Sequence, residues 1–208
     1  MFLPRIYPIT DARLSKISHG AQIEKLIDGG ARFVQLREKY AAPNAFYESA
    51  KEALEIARER GAKIIINDRV DVALALKADG VHLGQDDLPP EQARKILGDN
   101  AIIGFSTHNL AQAIEAVKLP VDYIAVGPVF ATRTKENPEK VVGLDAIKNI
   151  RQAIGDFPLV AIGGITLANF CSVLDAGADS VAVIGDLLIE PDEIAERFQK
   201  FSAHIPIN

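Results

Sequence analysis

Short apolar runs recur along the whole chain, and each of them stops at polar or glycine residues. Runs of this kind are typical of buried strands in a parallel sheet. They predict eight strands, at residues 6–9, 33–36, 64–66, 80–83, 102–105, 123–126, 159–162 and 181–184. Apolar residues at helical spacing predict helices between them, at residues 22–28, 45–60, 70–77, 90–97, 110–118, 144–154 and 167–176, and a last one at 191–201.

Eight strand–helix alternations without a strand-only stretch predict an α/β fold, a single (β/α)8 TIM barrel over residues 1–208. A doubly wound open sheet is the alternative. Four segments also resemble one another weakly, as the symmetry of a barrel would produce: GGARFVQL, KADGVHLG, PVDYIAVG and AGADSVAV.

Composition limits the classes of partner. The chain is 48% hydrophobic and 25% charged, with a formal net charge of -5, which argues against nucleic acid or an anionic membrane as partner. No apolar run approaches the ~20 residues of a membrane span, and the N-terminus lacks the pattern of a signal peptide.

The single cysteine, Cys171, fits a cytoplasmic protein, and its apolar neighbours predict a core residue and not a nucleophile. The sequence leaves open whether the chain is a monomer or a homodimer.

Polar residues crowd the ends of the predicted strands, where α/β folds place their sites. The basic residues among them are Arg37, Lys39, Arg133 and Lys135. Several cations at one end of an acidic protein indicate an anionic ligand, above all phosphate. The alternative for the first of them is a surface ion pair between Arg37 and Glu38.

Asp68 and Asp87 follow neighbouring predicted strands, which would lie ~4.7–4.9 Å apart. Two such carboxylates can share Mg²⁺, which is commonly held by one or two carboxylates together with substrate phosphates. Two alternatives remain open. The pair could work as acid and base, or Asp68 could cap the helix that follows it.

Two glycine-containing turns predict a second anion site. Gly163-Gly164 follows the seventh predicted strand and Gly185 follows the eighth, where backbone N–H groups often bind phosphate. A tight turn would explain the glycine pair equally well. The segment 127–143 lacks periodicity and has a polar middle, which predicts a binding loop.

The four histidines allow little metal chemistry, because no pair has the spacing of zinc ligands. His108 is either a general base or part of the segment that opens a helix. His82 is predicted to be buried near a strand end, whereas His19 and His204 are predicted on the surface.

Seven segments together carry a family resemblance: QLREK at 35–39, IND at 66–68, KADGVHLGQDD at 77–87, GFSTH at 104–108, GPVFATRTK at 127–135, AIGGIT at 161–166 and VI at 183–184. By their order and spacing, the chain resembles the thiamine-phosphate synthase family, with thiazole tautomerases as close relatives. The resemblance implies a TIM barrel transferase that joins 4-amino-2-methyl-5-hydroxymethylpyrimidine diphosphate to a thiazole phosphate. The products are thiamine monophosphate and pyrophosphate.

The resemblance also implies roles for individual residues. The pyrimidine diphosphate would contact Gln35, Leu36, Arg37, Glu38, Lys39, Asn67, Ser106 and Lys135, of which Arg37, Lys39, Ser106 and Lys135 would be catalytic. The thiazole phosphate would contact Thr132, Arg133, Thr134, Gly164, Ile184 and Gly185, and Mg²⁺ would be held by Asp68 and Asp87. Many relatives have serine at position 185; glycine there keeps the backbone N–H donor and loses a side-chain hydroxyl.

Other activities remain as alternatives. A thiazole tautomerase would use a histidine such as His108 and would need neither a diphosphate nor a metal. A phosphosugar isomerase of the same fold would need a clear acid/base residue. A non-catalytic sensor of thiamine precursors would bind its ligand without turnover.

Overall fold

The structure is a computed structural model, and it describes residues 3–132, 134 and 139–205. Every strand pairs in parallel with the next one, and the first pairs with the last, so the sheet closes into a barrel. This architecture confirms the predicted (β/α)8 barrel, and the open-sheet alternative is wrong. The strands are β1 Ile6–Thr10, β2 Phe33–Leu36, β3 Lys63–Asn67, β4 Gly80–Leu83, β5 Ile102–Thr107, β6 Tyr123–Val126, β7 Leu159–Ile162 and β8 Ser180–Val183.

Helices follow the strands along the chain. They are α1 Ala12–Ser15, α2 His19–Asp28, α3 Pro43–Glu59, α4 Val70–Leu76, α5 Pro90–Leu97, α6 Leu110–Ala116, α7 Gly143–Ile154, α8 Phe170–Asp175, α9 Gly185–Leu188 and α10 Ile194–Ala203, with a short 3-10 helix at Pro191–Glu193. The four-residue helices α1 and α9 were not predicted from the sequence, because four residues are too few to show a period.

Alternation along the strands divides the core into two layers. Tyr7, Phe33, Ile65 and Tyr123 belong to an apolar cluster separate from the outer one, as expected for side chains that fill a barrel of eight strands. Their sequence neighbours point outwards and pack under the helices. Ile64, for example, belongs to the cluster that also contains the buried face of α3.

The helices bury one stripe each. In α3, Pro43 occupies the first turn, where its missing N–H leaves no bond unmade. Phe46, Ala50 and Ala57 recur at intervals of four and seven residues and are buried, so they form the stripe that faces the sheet.

One structural role explains three of the four weak sequence repeats. In three of them an aspartate stands just before a strand, and its carboxylate accepts the N–H of a residue at the start of an earlier strand. The bonds join Asp79 to Ile64, Asp122 to Ile103 and Asp179 to Leu159, at 2.8, 2.7 and 2.8 Å. The repeats therefore mark a stabilising device at the amino ends of the strands, opposite the predicted site.

The prediction that Cys171 fills the core is wrong. Its side chain is exposed, because Phe170 and Val173 take the inward positions of α8. Apolar neighbours in sequence do not decide which face of a helix a residue occupies. His204 is exposed, as predicted.

Asp122→Ala should lower the free energy of unfolding by ~1–3 kcal/mol, the range for a buried donor left without its acceptor. The carboxylate accepts the Ile103 N–H and pairs with Arg94, both at 2.7 Å. Denaturant unfolding followed by circular dichroism measures the loss.

Glu115→Ala is the matched control. Its carboxylate pairs with Lys118 at 2.6 Å, but both side chains are largely exposed. Removing an exposed pair should change stability by less than ~0.5 kcal/mol. Equal losses in the two variants would contradict the role given to Asp122.

Candidate active site

The closed parallel barrel brings the carboxyl ends of all eight strands to one rim, which we call the mouth. Gln35, Leu36, Asn67 and Ser106 lie in the last part of their strands. The other predicted site residues in the described part of the chain lie in loops at the mouth or begin a helix there: Arg37, Glu38, Lys39, Asp68, Asp87, Thr132, Thr134, Gly164, Ile184 and Gly185. Arg133 and Lys135 lie outside the described residues.

Lys39, Asp68 and Asp87 form a charged cluster at the mouth. The Lys39 ammonium pairs with the Asp68 carboxylate. Asp68 has a φ of 62°, in the left-handed region, and its N–H donates to the carbonyl of His82 at 2.8 Å. The Asp87 carboxylate accepts the Gly84 N–H at 2.6 Å. The Asp87 carboxylate is thus held by its own loop, whereas the Asp68 carboxylate is held by Lys39 from the loop after β2.

Asp68 does not cap the next helix, so that alternative is wrong. Helix α4 begins after Arg69, and no side chain makes a cap bond there. The carboxylate is engaged with Lys39 instead, which leaves it at the mouth.

The pKa of Asp87 is raised above its ordinary value, mainly by burial. The Gly84 N–H lowers this pKa, and the charge of Asp68 raises it further. A divalent cation between two such carboxylates would relieve their repulsion. No group of three or more His, Cys, Asp or Glu residues in the described ranges could hold a metal by itself. Two carboxylates that leave the remaining positions to other oxygens fit Mg²⁺.

Arg37 is anchored by Asp11, which follows β1 and is not among the predicted binding residues. Its Nη1 donates to the Asp11 carboxylate at 2.6 Å, and both side chains are largely buried. The alternative of a surface ion pair between Arg37 and Glu38 is therefore wrong. A guanidinium held by one edge keeps its other N–H groups available.

Glu38 organises the loop after β2. Its carboxylate accepts the Tyr40 N–H at 2.8 Å and lies 3.3 Å from Nε2 of His19. Burial opposes ionisation of Glu38, but the backbone N–H bonds and His19 together lower its pKa below the ordinary value. His19 is buried and its Nδ1 lies 2.8 Å from Thr10 Oγ1, so its predicted surface position is wrong.

A row of polar groups crosses the barrel interior beneath the mouth. Gln35 Nε2 donates to Tyr7 Oη at 3.2 Å, and Tyr7 Oη lies 2.9 Å from Tyr123 Oη. Tyr123 Oη lies 3.0 Å from Nδ1 of His82, whose Nε2 lies 2.8 Å from Ser106 Oγ. Burial raises the pKa of both tyrosines and lowers that of His82 to about 4. All five groups are neutral at pH 7.

The two tyrosines were not among the residues predicted for the site. Each was counted among the apolar residues of its strand, where a hydroxyl leaves no mark in the periodicity. One feature of the sequence could have pointed to them: a glycine, Gly104, lies inside β5. A Cβ at this position would lie 2.1 Å from Tyr123 Cζ and 2.5 Å from His82 Nδ1. Only glycine leaves space for these two rings to meet.

Asn67 carries a donor without a partner. Its Nδ2 is buried and makes no hydrogen bond within the described chain, and the same holds only for Ser180 Oγ. Asn67 ends β3 at the mouth, whereas Ser180 begins β8 at the opposite end. An unpaired buried amide donor is unfavourable in the protein alone and favours a bound acceptor.

The glycine pair after β7 is required by geometry. Gly163 and Gly164 have φ values of 104° and 64°, which favour glycine. A Cβ on Gly164 would also lie 2.5 Å from the carbonyl oxygen of Ala131. The pair therefore makes a tight turn against the segment after β6, and the turn and the predicted anion site are compatible.

The loops after β6 and β8 meet at the mouth. A Cβ on Gly185 would lie 3.8 Å from Thr134 Oγ1, and the Thr134 N–H donates to Thr132 Oγ1 at 3.3 Å. Gly185 begins helix α9 directly after Ile184. The described part of the predicted thiazole phosphate site is thus brought together.

His108 belongs to the segment that opens helix α6. Its N–H donates to Gln112 Oε1 at 2.7 Å, and Asn109 caps the helix through its side chain. The His108 Nδ1 lies 2.8 Å from the carbonyl oxygen of Gly127, so Nδ1 is the protonated nitrogen.

The fold and site define the class of TIM-barrel enzymes whose active site lies at the carboxyl ends of the strands. The family model for thiamine monophosphate synthase matches residues 6–187. The thiamine-phosphate synthase of Chloroflexus aurantiacus is 48% identical over 192 residues, 92% of this chain and 88% of that protein. The thiamine-phosphate synthase of Koribacter versatilis is 46% identical and covers 94% of both chains.

A solved structure agrees. The thiamine phosphate pyrophosphorylase of Pyrococcus furiosus superposes with a TM-score of 0.85 at 38% identity, covering 96% of this chain and 94% of that one. The chain belongs to the thiamine-phosphate synthase family, whose members are transferases of thiamine biosynthesis. The family prediction made from the motifs is confirmed.

Gly104→Ala should destabilise the protein by ~1–3 kcal/mol, because a methyl group there overlaps two packed rings. Thermal unfolding measured by calorimetry would show the lower melting temperature.

Gly20→Ala is its control. A Cβ there approaches only the flexible end of the Glu52 side chain, at 2.8 Å, and alanine is the better helix former. We expect unchanged or slightly higher stability for this variant. A similar melting temperature for both variants would contradict the packing argument.

Proposed function

We propose that the chain joins 4-amino-2-methyl-5-hydroxymethylpyrimidine diphosphate to a thiazole phosphate and releases pyrophosphate. Membership of the family supports this activity. The observation that carries it is the cluster of Lys39, Asp68 and Asp87 beside the unpaired amide of Asn67. An ammonium, a carboxylate pair with affinity for a cation and a buried donor together suit a diphosphate.

The pyrimidine diphosphate would occupy the part of the mouth formed by the loops after β2 to β5, together with Lys135 from the segment after β6. Lys39 and the N–H groups of Arg37 not used by Asp11 would contact the diphosphate oxygens. Asn67 Nδ2 would gain the acceptor that it lacks. The full set that we propose for this substrate is Gln35, Leu36, Arg37, Glu38, Lys39, Asn67, Ser106 and Lys135.

Asp68 and Asp87 would hold Mg²⁺, because their shared negative charge fits a divalent cation. Bound there, the ion would neutralise charge on the leaving pyrophosphate. Lys39, now paired with Asp68, would then be free to turn towards the same oxygens.

The thiazole phosphate would bind across the mouth, against the loops after β6, β7 and β8. Backbone N–H groups at Gly164 and Gly185 would contact the phosphate, since glycine lets an anion approach the backbone. The proposed set is Thr132, Arg133, Thr134, Gly164, Ile184 and Gly185.

The reaction follows from this arrangement. The C–O bond between the pyrimidine methylene and the diphosphate breaks, and pyrophosphate leaves with the electron pair. The aminopyrimidine stabilises the resulting cation, and the thiazole nitrogen then donates its electron pair to form the new C–N bond. Protein groups position both substrates and neutralise the leaving group, so no protein nucleophile is needed.

The same cluster favours the synthase over a thiazole tautomerase. A tautomerase handles one phosphate and no metal, and it would have no use for Lys39, Asp68 and Asp87 together. His108 Nε2 is the nitrogen that such a reaction would use, since Nδ1 is bonded to Gly127.

Other predictions concern the whole chain. No helix in the described part of the chain is long and apolar enough to span a membrane. We propose that residues 1–208 form one catalytic domain that works in the cytoplasm on small phosphorylated molecules.

Asp87→Asn should lower Mg²⁺-dependent pyrophosphate release by at least ~100-fold, because the amide keeps the shape of the side chain and removes the charge that holds the cation. A coupled assay for pyrophosphate, with both substrates and with Mg²⁺ or EDTA, gives the rate. Thiamine monophosphate is quantified in parallel.

Asp86→Asn is the matched control, since Asp86 is an exposed neighbouring carboxylate. It should release pyrophosphate at the wild-type rate. Well-folded wild-type protein that forms no thiamine monophosphate would refute the proposal. Thiazole isomerisation in wild type and His108→Ala would then test the tautomerase.

Asn67→Ala should reduce kcat/KM for the pyrimidine diphosphate by ~10–100-fold, the range for a lost hydrogen bond to a charged group. Removing a buried amide that is hydrogen-bonded within the protein normally lowers the free energy of unfolding. Asn67→Ala should lower it by less, because Nδ2 makes no bond within the protein that could be lost. Steady-state kinetics and denaturant unfolding measure the two effects.

Ser180→Ala is the control for this test. It removes the other unpaired buried polar atom, at the end of the barrel far from the mouth. Its kinetics should match the wild type. Equal kinetic losses in the two variants would contradict a substrate contact at Asn67.

A further inference from the structure

We infer that Tyr7, Tyr123 and His82 are positioning residues that act through Ser106. They form a directed hydrogen-bond relay beneath the mouth, and the relay makes the Ser106 hydroxyl a donor towards the substrate. The inference rests on the proposed function only for the identity of that substrate. The direction of the relay follows from the protein alone.

The direction is set at the Gln35 end. The Gln35 Nε2 can only donate, so Tyr7 Oη accepts from it and sends its own single proton to Tyr123 Oη. Tyr123 then sends its proton to His82 Nδ1, 3.0 Å away. The Gln35 N–H therefore sets the direction of the hydrogen bonds that follow it in the relay.

The other end is then determined. Both polar partners of the His82 ring are hydroxyls and neither is a carboxylate, so the ring is a neutral imidazole with one N–H. Because Nδ1 accepts, the proton resides on Nε2, which donates to Ser106 Oγ at 2.8 Å. Ser106 Oγ is occupied as an acceptor, and its O–H is left to donate into the mouth.

The two ends of the relay have opposite polarity. Gln35 donates its Nε2–H to Tyr7 within the relay and keeps its amide oxygen as an acceptor. Ser106 accepts a hydrogen bond from His82 within the relay and donates its own O–H towards the mouth. A ligand with an N–H donor and a nearby nitrogen or oxygen acceptor matches this pair. An aminopyrimidine carries both an exocyclic N–H donor and a ring-nitrogen acceptor. In its oxo analogue the exocyclic group is a hydrogen-bond acceptor instead of a donor.

Packing alone does not account for these residues. Phenylalanine would fill the space of either tyrosine ring. Within the described residues, the hydrogen bonds of the two hydroxyls go to one another, to Gln35 and to His82. Gly104 leaves the space in which Tyr123 Oη reaches His82 Nδ1. The arrangement aligns dipoles in a closed, low-dielectric interior, where such chains are strong.

The first test is NMR spectroscopy of ¹⁵N-histidine-labelled, ligand-free protein at neutral pH. The chain has four histidines, and His82→Gln identifies the signals of His82. We expect the proton on Nε2 in the wild type and a mixture of tautomers in Tyr123→Phe. A wild-type proton on Nδ1, or a tautomer that Tyr123→Phe does not change, overturns the relay.

The second test is a double-mutant cycle with the pyrimidine diphosphate. Tyr123→Phe should lower kcat/KM ~10-fold in the wild-type background, the effect of about one hydrogen bond. In a Ser106→Ala background the same change should have less than a ~2-fold effect, because the hydroxyl that the relay orients is gone. Additive losses overturn the claim that Tyr123 acts through Ser106.

Ser180→Ala again serves as control, since it removes an interior hydroxyl that is outside the relay. It should change neither the His82 tautomer nor kcat/KM. The two tests also separate this inference from the proposed function. Wild-type protein without synthase activity refutes the function, and the ligand-free NMR result still decides the relay.

Discussion

Pairing between β1 and β8 is the constraint on which the structure depends. It joins Ile6 to Val181 and Tyr7 to Ala182, and it turns eight successive strands into a closed barrel. Closure directs all carboxyl ends to one rim, so residues from distant parts of the chain share a site. It also excludes water from the interior, and polar groups placed there must satisfy one another. The row from Gln35 to Ser106 is the result.

Stability and chemistry occupy opposite ends of this barrel. At the amino ends, aspartates that recur in the sequence repeats bond to backbone N–H groups of neighbouring strands. These carboxylates make their hydrogen bonds within the fold. At the mouth, Asn67 lacks a partner and burial and Asp68 raise the pKa of Asp87, so the polar groups there remain incompletely satisfied. Such groups can gain from a ligand what the protein does not provide.

The charged residues of the mouth are nevertheless held in place. Asp11 anchors Arg37, and His19 with backbone N–H groups anchors Glu38. The two anchoring side chains, Asp11 and His19, come from the first quarter of the chain, before the motifs that carry the family resemblance. Pre-oriented charges lose little freedom when a substrate binds, which is the condition for electrostatic stabilisation of a leaving group.

The sequence by itself determined the eight strands, their barrel arrangement, the family and those predicted residues that the described part of the chain brings to the mouth, because local periodicity and motif spacing carry this information. Only the tertiary structure decided the partners. Tyr7 meets Tyr123 across 116 positions, Arg37 pairs with Asp11 and not with Glu38, and Cys171 faces outwards. Such contacts depend on strand register, barrel closure and the rotation of each helix about its axis, and none of these is a property of neighbouring residues.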